Sequence, residues 1–148
     1  MNERHRIVVG VDGSQSSKAA LAWAVRQAEL TNATVEAVMA WQYPIAFAGA
    51  PFVPIGTLMA TDFAGGAEHL LDTAISETVD ASSPVKVFAT VHEGNAAQIL
   101  LETAEDADLL VVGSRGHGGF TEALLGSVSQ HCVHHATCPV VIVRVPKT

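Results

Sequence analysis

Residues 7–14 read IVVGVDGS, an unbroken apolar run that ends in an acidic residue, a glycine and a serine. Strands buried on both faces have this continuous apolar character, whereas strands with one solvated face alternate apolar and polar residues. Ser14 or Ser16 can then cap a helix that we expect to reach about residue 30. Its predicted apolar side comprises Leu21, Trp23, Ala24, Ala28 and Leu30. The run therefore predicts a buried strand followed directly by a helix.

The same alternation continues along the rest of the chain. Further strands are predicted at 34–41, 85–91, 109–112 and 140–143, and further helices at about 67–78, 95–104 and 127–135. In the second helix the predicted apolar stripe includes Leu70 as well as Leu71. Strict β-α alternation with short apolar strands indicates an α/β fold, with a parallel sheet covered by helices on both faces. Because no internal repeat is visible, we expect a single domain over residues 1–148.

Charge and composition exclude several classes of partner. The formal net charge is −7, with 8 Lys and Arg against 15 Asp and Glu. Nonspecific binding to nucleic acid or to an anionic membrane depends on basic clusters, so neither is expected. Two cysteines are too few for the disulfide framework of a small secreted domain, which favours a cytoplasmic location. Residues 37–61 carry no charge, but three prolines and two glycines interrupt them, so a strand followed by a loop is predicted rather than a membrane span.

A glycine-rich loop follows the fourth predicted strand. Residues 113–129 read GSRGHGGFTEALLGSVS, with the last glycine at the predicted start of a helix. Glycines let backbone N–H groups approach an anion, and the first N–H groups of a helix attract negative charge. The hydroxyls of Ser127 and Ser129 could add donors. The loop therefore predicts a phosphate cradle that needs little side-chain charge, although such loops also occur merely to turn the chain.

Known phosphate motifs do not fit, and Asp12 sets a further condition. No Lys-Ser or Lys-Thr follows the final glycine, and the first strand lacks the dinucleotide fingerprint. The Asp12 carboxylate would repel phosphates unless Mg²⁺ or Mn²⁺ bridges the two, and the alternative is a simple turn or capping role. In open α/β sheets ligands bind where the strand order reverses. If the first and fourth strands are neighbours, both loops converge on one crevice.

The spacing Gly-x-x-Gly, nine residues, Gly-Ser is similar to the ATP-binding signature of the universal stress protein family. The likeness extends over the whole chain, from the opening VGVDGS to the closing CPVVIV. It implies a doubly wound, Rossmann-like sheet of order 3-2-1-4-5, with ATP between strands one and four. It also implies a homodimer that pairs the last strands, at residues 140–145.

Carried over position by position, the resemblance places Val11 and Asp12 beside the adenosine and the phosphates. The backbone of Ala40 would lie beside the adenine. The ribose and phosphates would be wrapped by residues of the glycine loop, namely Gly113, Gly116, Gly126, Ser127, Val128 and Ser129. The most that Arg115 and His117 can contribute is a phosphate contact, because they occupy variable positions of the loop.

Three classes of function remain open at this point. The first is an ATP-binding regulator of the stress response, whose occupancy changes its conformation or its choice of an unknown protein partner. The second is a slow ATPase or phosphotransferase, but Asp12 and His117 are the only evident catalytic candidates and neither has a visible partner. The third is a nucleotide-independent interaction module, which would leave the complete glycine loop unexplained. We favour the first and expect at most weak hydrolysis.

A cluster of histidines and cysteines lies at residues 131–138. His131, His134 and His135 share a helical face and could in principle hold Zn²⁺. The paired-cysteine spacing of structural zinc sites is absent, and Cys132 falls on the apolar stripe of the helix with Val128. We therefore interpret the cluster as packing, not as a metal site or a redox switch.

Overall fold

The computed structural model of the protein describes residues 5–42, 62–115 and 125–145. Gly116 and His117, the loop predicted after the second strand, and the last three residues of the chain lie outside these ranges. The five described strands are β1 Arg6–Gly10, β2 Thr34–Trp41, β3 Val87–Glu93, β4 Leu109–Gly113 and β5 Val140–Val143. The four described helices are α1 Gln15–Thr31, α2 Phe63–Thr78, α3 Ala96–Thr103 and α4 Ser127–His135.

All five strands are parallel, and their order across the sheet is β3-β2-β1-β4-β5. The predicted α/β fold and strand order are thus confirmed. β1 lies at the centre, with β2 on one side and β4 on the other. The chain winds outward from β1 in one direction and returns to start β4 in the other. The carboxyl ends of β1 and β4 therefore form the switch point of the sheet.

Two apolar clusters, one on each face of the sheet, explain the unbroken apolar strands. Val9 belongs to the cluster beneath α1 and α2, and its neighbour Val8 belongs to the cluster beneath α3 and α4. Successive residues of a strand point to opposite faces, so both positions must be apolar when both faces are covered. Full burial of each such side chain contributes roughly 1.5–3 kcal/mol to folding.

Two leucines assigned to apolar helix sides are exposed instead. Leu30 is 82% exposed and Leu70 is 54% exposed. Leu30 follows Ala28 by two residues, which at 3.6 residues per turn places it on the opposite side of α1, in the last turn before the left-handed cap at Asn32. Leu70 lies at the margin of an α2 stripe whose buried members are Ala67, Leu71 and Ala74.

The third strand also differs from its prediction, since it begins two residues later and ends two residues later. Its final pairs are Ala40 with His92 and Trp41 with Glu93. These two polar residues are part of the strand because β2 extends far enough to pair with them, and the apolar pattern alone carries no sign of that. None of the helices in the described ranges combines the length and the apolar character needed to cross a bilayer.

Charged contacts gather at the amino end of the sheet. The Arg6 guanidinium pairs with Glu36 at 2.9 Å and also with Asp106. The backbone N–H of Arg6 donates to Asp108 at 2.7 Å, and this bond lowers the pKa of the Asp108 carboxyl. The amino end of β1 is thereby tied to the turn before β4, at the end of the sheet remote from the switch point.

Candidate functional site

The buried polar side chains of the described residues all lie near the switch point. They belong to Ser16, Ser17, Ser114 and Ser129. Two follow β1 in the first turn of α1, one follows β4, and one lies in the first turn of α4. Burying a hydroxyl without a hydrogen bond costs roughly 1–3 kcal/mol. Their concentration in one place therefore indicates a specifically built arrangement rather than ordinary core packing.

The first wall of the site is the turn between β1 and α1. Gly13 has φ of 85°, a conformation that side chains disfavour. The Ser14 N–H donates to Asp12 Oδ1 at 2.9 Å, and the Ser17 N–H donates to Ser14 Oγ at 3.2 Å. The Asp12 N–H in turn donates to Ser17 Oγ at 3.2 Å. These bonds hold the turn in one shape before any ligand arrives.

Asp12 fills the turn role that the sequence left as an alternative to metal binding. Its Oδ1 atom accepts from the Ser14 N–H, as in an Asx turn. A carboxylate offers about four lone-pair positions on its two oxygens. The turn role and a role as ligand of a nucleotide-bound Mg²⁺ or Mn²⁺ are therefore chemically compatible.

The second wall is the segment that follows β4. The Ser114 N–H donates to Val143 O at 2.9 Å, which extends the pairing of β4 and β5 by one bond. The Ser114 carbonyl accepts from the Gly126 N–H at 2.8 Å. The Arg115 N–H donates to Ser16 Oγ at 3.2 Å, so the second wall is bonded directly to the first.

Gly113 is required by the close approach of α1. A Cβ atom at this position would lie 2.7 Å from both the carbonyl carbon and the carbonyl oxygen of Ser16, and it would also collide with the Ser16 hydroxyl. Sequence reasoning explained this glycine by the approach of an anion. The described structure adds a packing reason, because the first turn of α1 rests on the end of β4.

The amino end of α4 differs from those of the other described helices. Ser14, Asp62 and Asn95 each cap their helix by accepting from the N–H three residues later. The corresponding residue of α4 is Gly126, and the described residues supply no side-chain acceptor there. The first N–H groups of a helix have no partner within the helix and favour an anion. The N–H groups at the start of α4 can therefore donate to phosphate oxygens.

The two hydroxyls proposed for this helix end have different surroundings. Ser127 is exposed, whereas Ser129 is only 2% exposed. The Ser129 hydroxyl lies 3.2 Å from Ser114 O and 3.0 Å from Gly126 O. Val128 between them is half-buried and packs on the apolar cluster beneath α3 and α4. Of the two hydroxyls, Ser127 is thus the one with access to a ligand.

The described site residues lie together at the carboxyl end of the sheet. Val11 extends β1, and its N–H donates to Val38 O at 2.9 Å on β2. Ala40, two residues further along β2, is half-buried and pairs with His92. Sequence reasoning named Ser16 only as a possible helix cap and did not single out Ser114, although Ser16 joins the two walls and Ser114 lies at the centre of the second. Their partners are distant in sequence, so no local pattern could have indicated them.

The histidine and cysteine cluster lies on and after α4. His131, His134 and His135 are exposed, and the ring centroids of His131 and His135 are 5.5 Å apart. In the described parts of the chain, no three metal-binding side chains come together to hold an ion. Cys132 is fully buried in the apolar cluster, which confirms the packing interpretation for this residue. Burial raises the pKa of its thiol to about 11 and also raises the pKa of Cys138, so neither thiol is activated.

Sequence comparisons identify similar proteins over nearly the whole chain. The model of the universal stress protein family matches residues 3–144. A universal stress protein of Mycobacterium tuberculosis is 36% identical over 141 residues, which cover 93% of this chain and 47% of that protein. A universal stress protein of Mycolicibacterium smegmatis is 36% identical over 143 residues, which cover 97% of this chain and 47% of that protein. The chain thus spans about half the length of the curated relatives it matches.

Two solved structures share the fold over nearly their whole length. The universal stress protein UspA from Lactobacillus plantarum superposes with a TM-score of 0.74 at 24% identity, covering 97% of this chain and 100% of that one. A universal stress protein crystallised in complex with cAMP superposes with a TM-score of 0.69 at 27% identity. The superposition covers 97% of this chain and 98% of that one.

Proposed function

The chain belongs to the universal stress protein family, and on this premise we propose that it binds ATP, with Mg²⁺ or Mn²⁺, in the crevice between β1 and β4. Nucleotide occupancy would regulate its conformation or its binding to a protein partner in a cytoplasmic stress response. The observation that carries the proposal is the amino end of α4, where no described side chain caps the helix and the Gly126 N–H donates to Ser114 O directly after β4.

The adenine class of ligand is supported by a neighbour. The structure that is 27% identical to this chain holds cAMP, an adenine nucleotide with a single phosphate. The glycine signature also extends from Gly113 to Gly126-Ser127 without departure from the ATP-binding pattern. In the proposed complex the adenine lies beside Ala40, and the phosphates reach toward Ser127.

Electrostatics supports a backbone cradle with a bridging cation. The protein carries a formal charge of −7, so its overall field opposes a nucleotide with several negative charges. Backbone N–H groups at a helix start attract phosphate locally and are insensitive to the net charge. Mg²⁺ or Mn²⁺ shared between Asp12 and the phosphates would offset the remaining repulsion.

The first experiment is a calorimetric titration of ATP with Mg²⁺ into the purified protein after removal of copurified nucleotide. We expect saturable binding of one ATP per chain, weaker binding without the cation, and no tight binding of GTP. AMP and cAMP, titrated in parallel, show how much of the affinity depends on the β- and γ-phosphates. Release of inorganic phosphate, followed over hours, distinguishes the regulator from a slow ATPase. A folded protein that binds none of these nucleotides would leave the interaction-module alternative as the better one.

We further propose that the protein forms a homodimer by pairing β5 strands. β5 is an edge of the sheet, and its four residues are all only half-buried. Pro139 O accepts from Leu110, and Val143 O accepts from Ser114. Because hydrogen-bonding direction alternates along a parallel strand, the N–H of Ile142 points away from β4, toward the open edge.

This geometry predicts that Ile142→Pro yields monomers while the sheet within each chain survives. Proline removes the outward N–H without breaking a bond to β4, and it is tolerated on edge strands for that reason. Ile142→Ala is the matched control, since it loses similar packing but keeps the N–H. In sedimentation equilibrium we expect dimers for the wild type and for Ile142→Ala. A monomeric wild type, or a dimeric proline variant, would argue for another interface or for none.

A further inference from the structure

We infer that the side-chain hydroxyl of Ser129 positions the nucleotide site, because it acts through the carbonyl groups of Ser114 and Gly126 instead of touching the ligand itself. The inference rests on the proposed function, because it concerns the same crevice. It goes further in assigning the buried hydroxyl a task distinct from phosphate binding, namely to hold the start of α4 in its binding orientation.

The Ser129 hydroxyl is buried and already bonded to the protein. Ser129 is the third residue of α4, and its side chain is 2% exposed. Its Oγ atom lies 3.2 Å from Ser114 O and 3.0 Å from Gly126 O, both of which are acceptors. A serine hydroxyl has one proton to donate, and here that proton is shared between two carbonyls of the protein. The donor is therefore already committed when a phosphate arrives.

The two carbonyls belong to different segments of the cradle. Ser114 follows β4, and Gly126 precedes α4, so the hydroxyl joins the strand side of the crevice to the helix side. The Gly126 N–H donates to the same Ser114 carbonyl at 2.8 Å. Among the described residues, these two bonds to Ser114 O are the polar contacts that hold the first turn of α4 against the end of β4.

Orientation matters here because no side chain of the described residues caps the start of α4. Its free N–H groups bind an anion only if they point toward the crevice, and no described side chain at the N-cap fixes them. Among the described residues, loss of the Ser129 hydroxyl leaves the bond from the Gly126 N–H as the one polar contact between the first turn of α4 and Ser114. The nucleotide would then have to order the turn on binding, and that ordering weakens affinity.

The test compares Ser129→Ala with Ala74→Gly in the full chain. Removal of one hydrogen bond is expected to weaken binding of ATP with Mg²⁺ by about five- to tenfold. Ala74 is buried in the middle of α2, on the other face of the sheet, and glycine there lowers stability by a comparable amount without touching the crevice. We expect Ala74→Gly to bind like the wild type.

Hydrogen exchange of the Gly126 amide separates positioning from ligand contact. In the unliganded protein, Ser129→Ala should exchange this amide faster, because the turn loses one of its two described polar contacts with Ser114. Ala74→Gly should leave the exchange of this amide unchanged relative to neighbouring amides. Wild-type affinity in Ser129→Ala overturns the inference, as does an equal loss in Ala74→Gly. Weakened affinity with unchanged amide exchange also overturns it, since that result indicates direct contact with the ligand. If the wild type itself binds no nucleotide, the proposed function fails as well, and exchange at Gly126 then shows whether Ser129 holds the turn at all.

Discussion

Gly126→Asp is expected to weaken binding of ATP at least about 100-fold without lowering the stability of the fold. Gly126 is the N-cap of α4 and has φ of −66° and ψ of 164°, an extended conformation that aspartate adopts readily. An aspartate at an N-cap accepts hydrogen bonds from the N–H groups of the second or third helical residue. Here those groups belong to Val128 and Ser129, and the new carboxylate would occupy the place of the phosphate.

Two effects weaken the binding of ATP to the Gly126→Asp variant. Each lost charge-assisted hydrogen bond is worth roughly 1.5–3 kcal/mol. Repulsion between the carboxylate and a phosphate about 4 Å away adds up to about 4 kcal/mol at the effective dielectric constant of a protein surface. Since 1.4 kcal/mol corresponds to a tenfold change in affinity, a loss of 100-fold is a lower bound. The free energy of unfolding should stay equal or rise by a few tenths of a kcal/mol, because aspartate is a slightly better cap than glycine.

Two companion variants separate the effect of the new negative charge from the effect of filling the place of the phosphate. Gly126→Ala adds no acceptor and should bind ATP within a few-fold of the wild type. Gly126→Asn caps the helix without a charge and should fall between the alanine and aspartate variants. Calorimetric titration measures the affinities, and thermal unfolding of the unliganded proteins measures stability. An aspartate variant that binds as tightly as the wild type would show that the phosphates lie elsewhere.

Gly113→Ala is expected to have the largest effect on stability. The new methyl group would meet the carbonyl carbon and oxygen of Ser16 at 2.7 Å, and backbone atoms cannot rotate away as a side chain can. Overpacking of this kind costs about 1–3 kcal/mol, and we expect the upper part of that range. For a chain of this size the melting temperature should fall by roughly 4–10 °C. If α1 moved away to relieve this clash, the hydrogen bond from the Arg115 N–H to Ser16 Oγ would be stretched.

The chain offers a matched glycine for comparison. Gly66 lies exposed in α2, and a Cβ atom there would meet nothing within 4 Å. Gly66→Ala should therefore raise the free energy of unfolding by up to about 1 kcal/mol, since alanine favours a helix more than glycine does. Urea denaturation of both variants measures the contrast. Equal stabilities would mean that α1 does not approach β4 as closely as described.

Local patterns were sufficient to predict most elements of this fold. The start of α4 at Ser127 followed from the Gly-Ser pair, and the start of α3 followed from the capping residue Asn95. Each signal acts within a few residues of its effect. The alternation of strands and helices likewise required a parallel sheet. The strand order did not follow from spacing and came only from the family resemblance.

Contacts between distant residues were beyond such reasoning. Arg115 and Ser16 lie 99 positions apart, and nothing in either neighbourhood indicates that they meet. Likewise, nothing in the sequence around Gly113 indicates that α1 approaches this position too closely for a side chain. Ser129 illustrates a second limit, because a serine at a helix start has the same letter whether its hydroxyl faces a ligand or a carbonyl group. The sequence placed the candidate residues at the ends of the right strands and helices, but it did not indicate how the hydrogen bonds among them are arranged.

The placement of β1 between β2 and β4 has a consequence for the synthesis of the protein. β1, α1 and β2 follow one another closely, whereas β4 emerges from the ribosome about five to twenty seconds later than β1, at roughly 5–20 residues per second. Until then, the central strand has one open edge and the crevice does not exist. A nucleotide bound in this crevice, as we propose, would therefore stabilise only the completed fold, by about 2.7 kcal/mol at a concentration 100 times its Kd. Shifts of this size change cellular protein abundance several-fold. Under the proposed function, a shortage of the nucleotide would therefore increase the degradation of newly made chains.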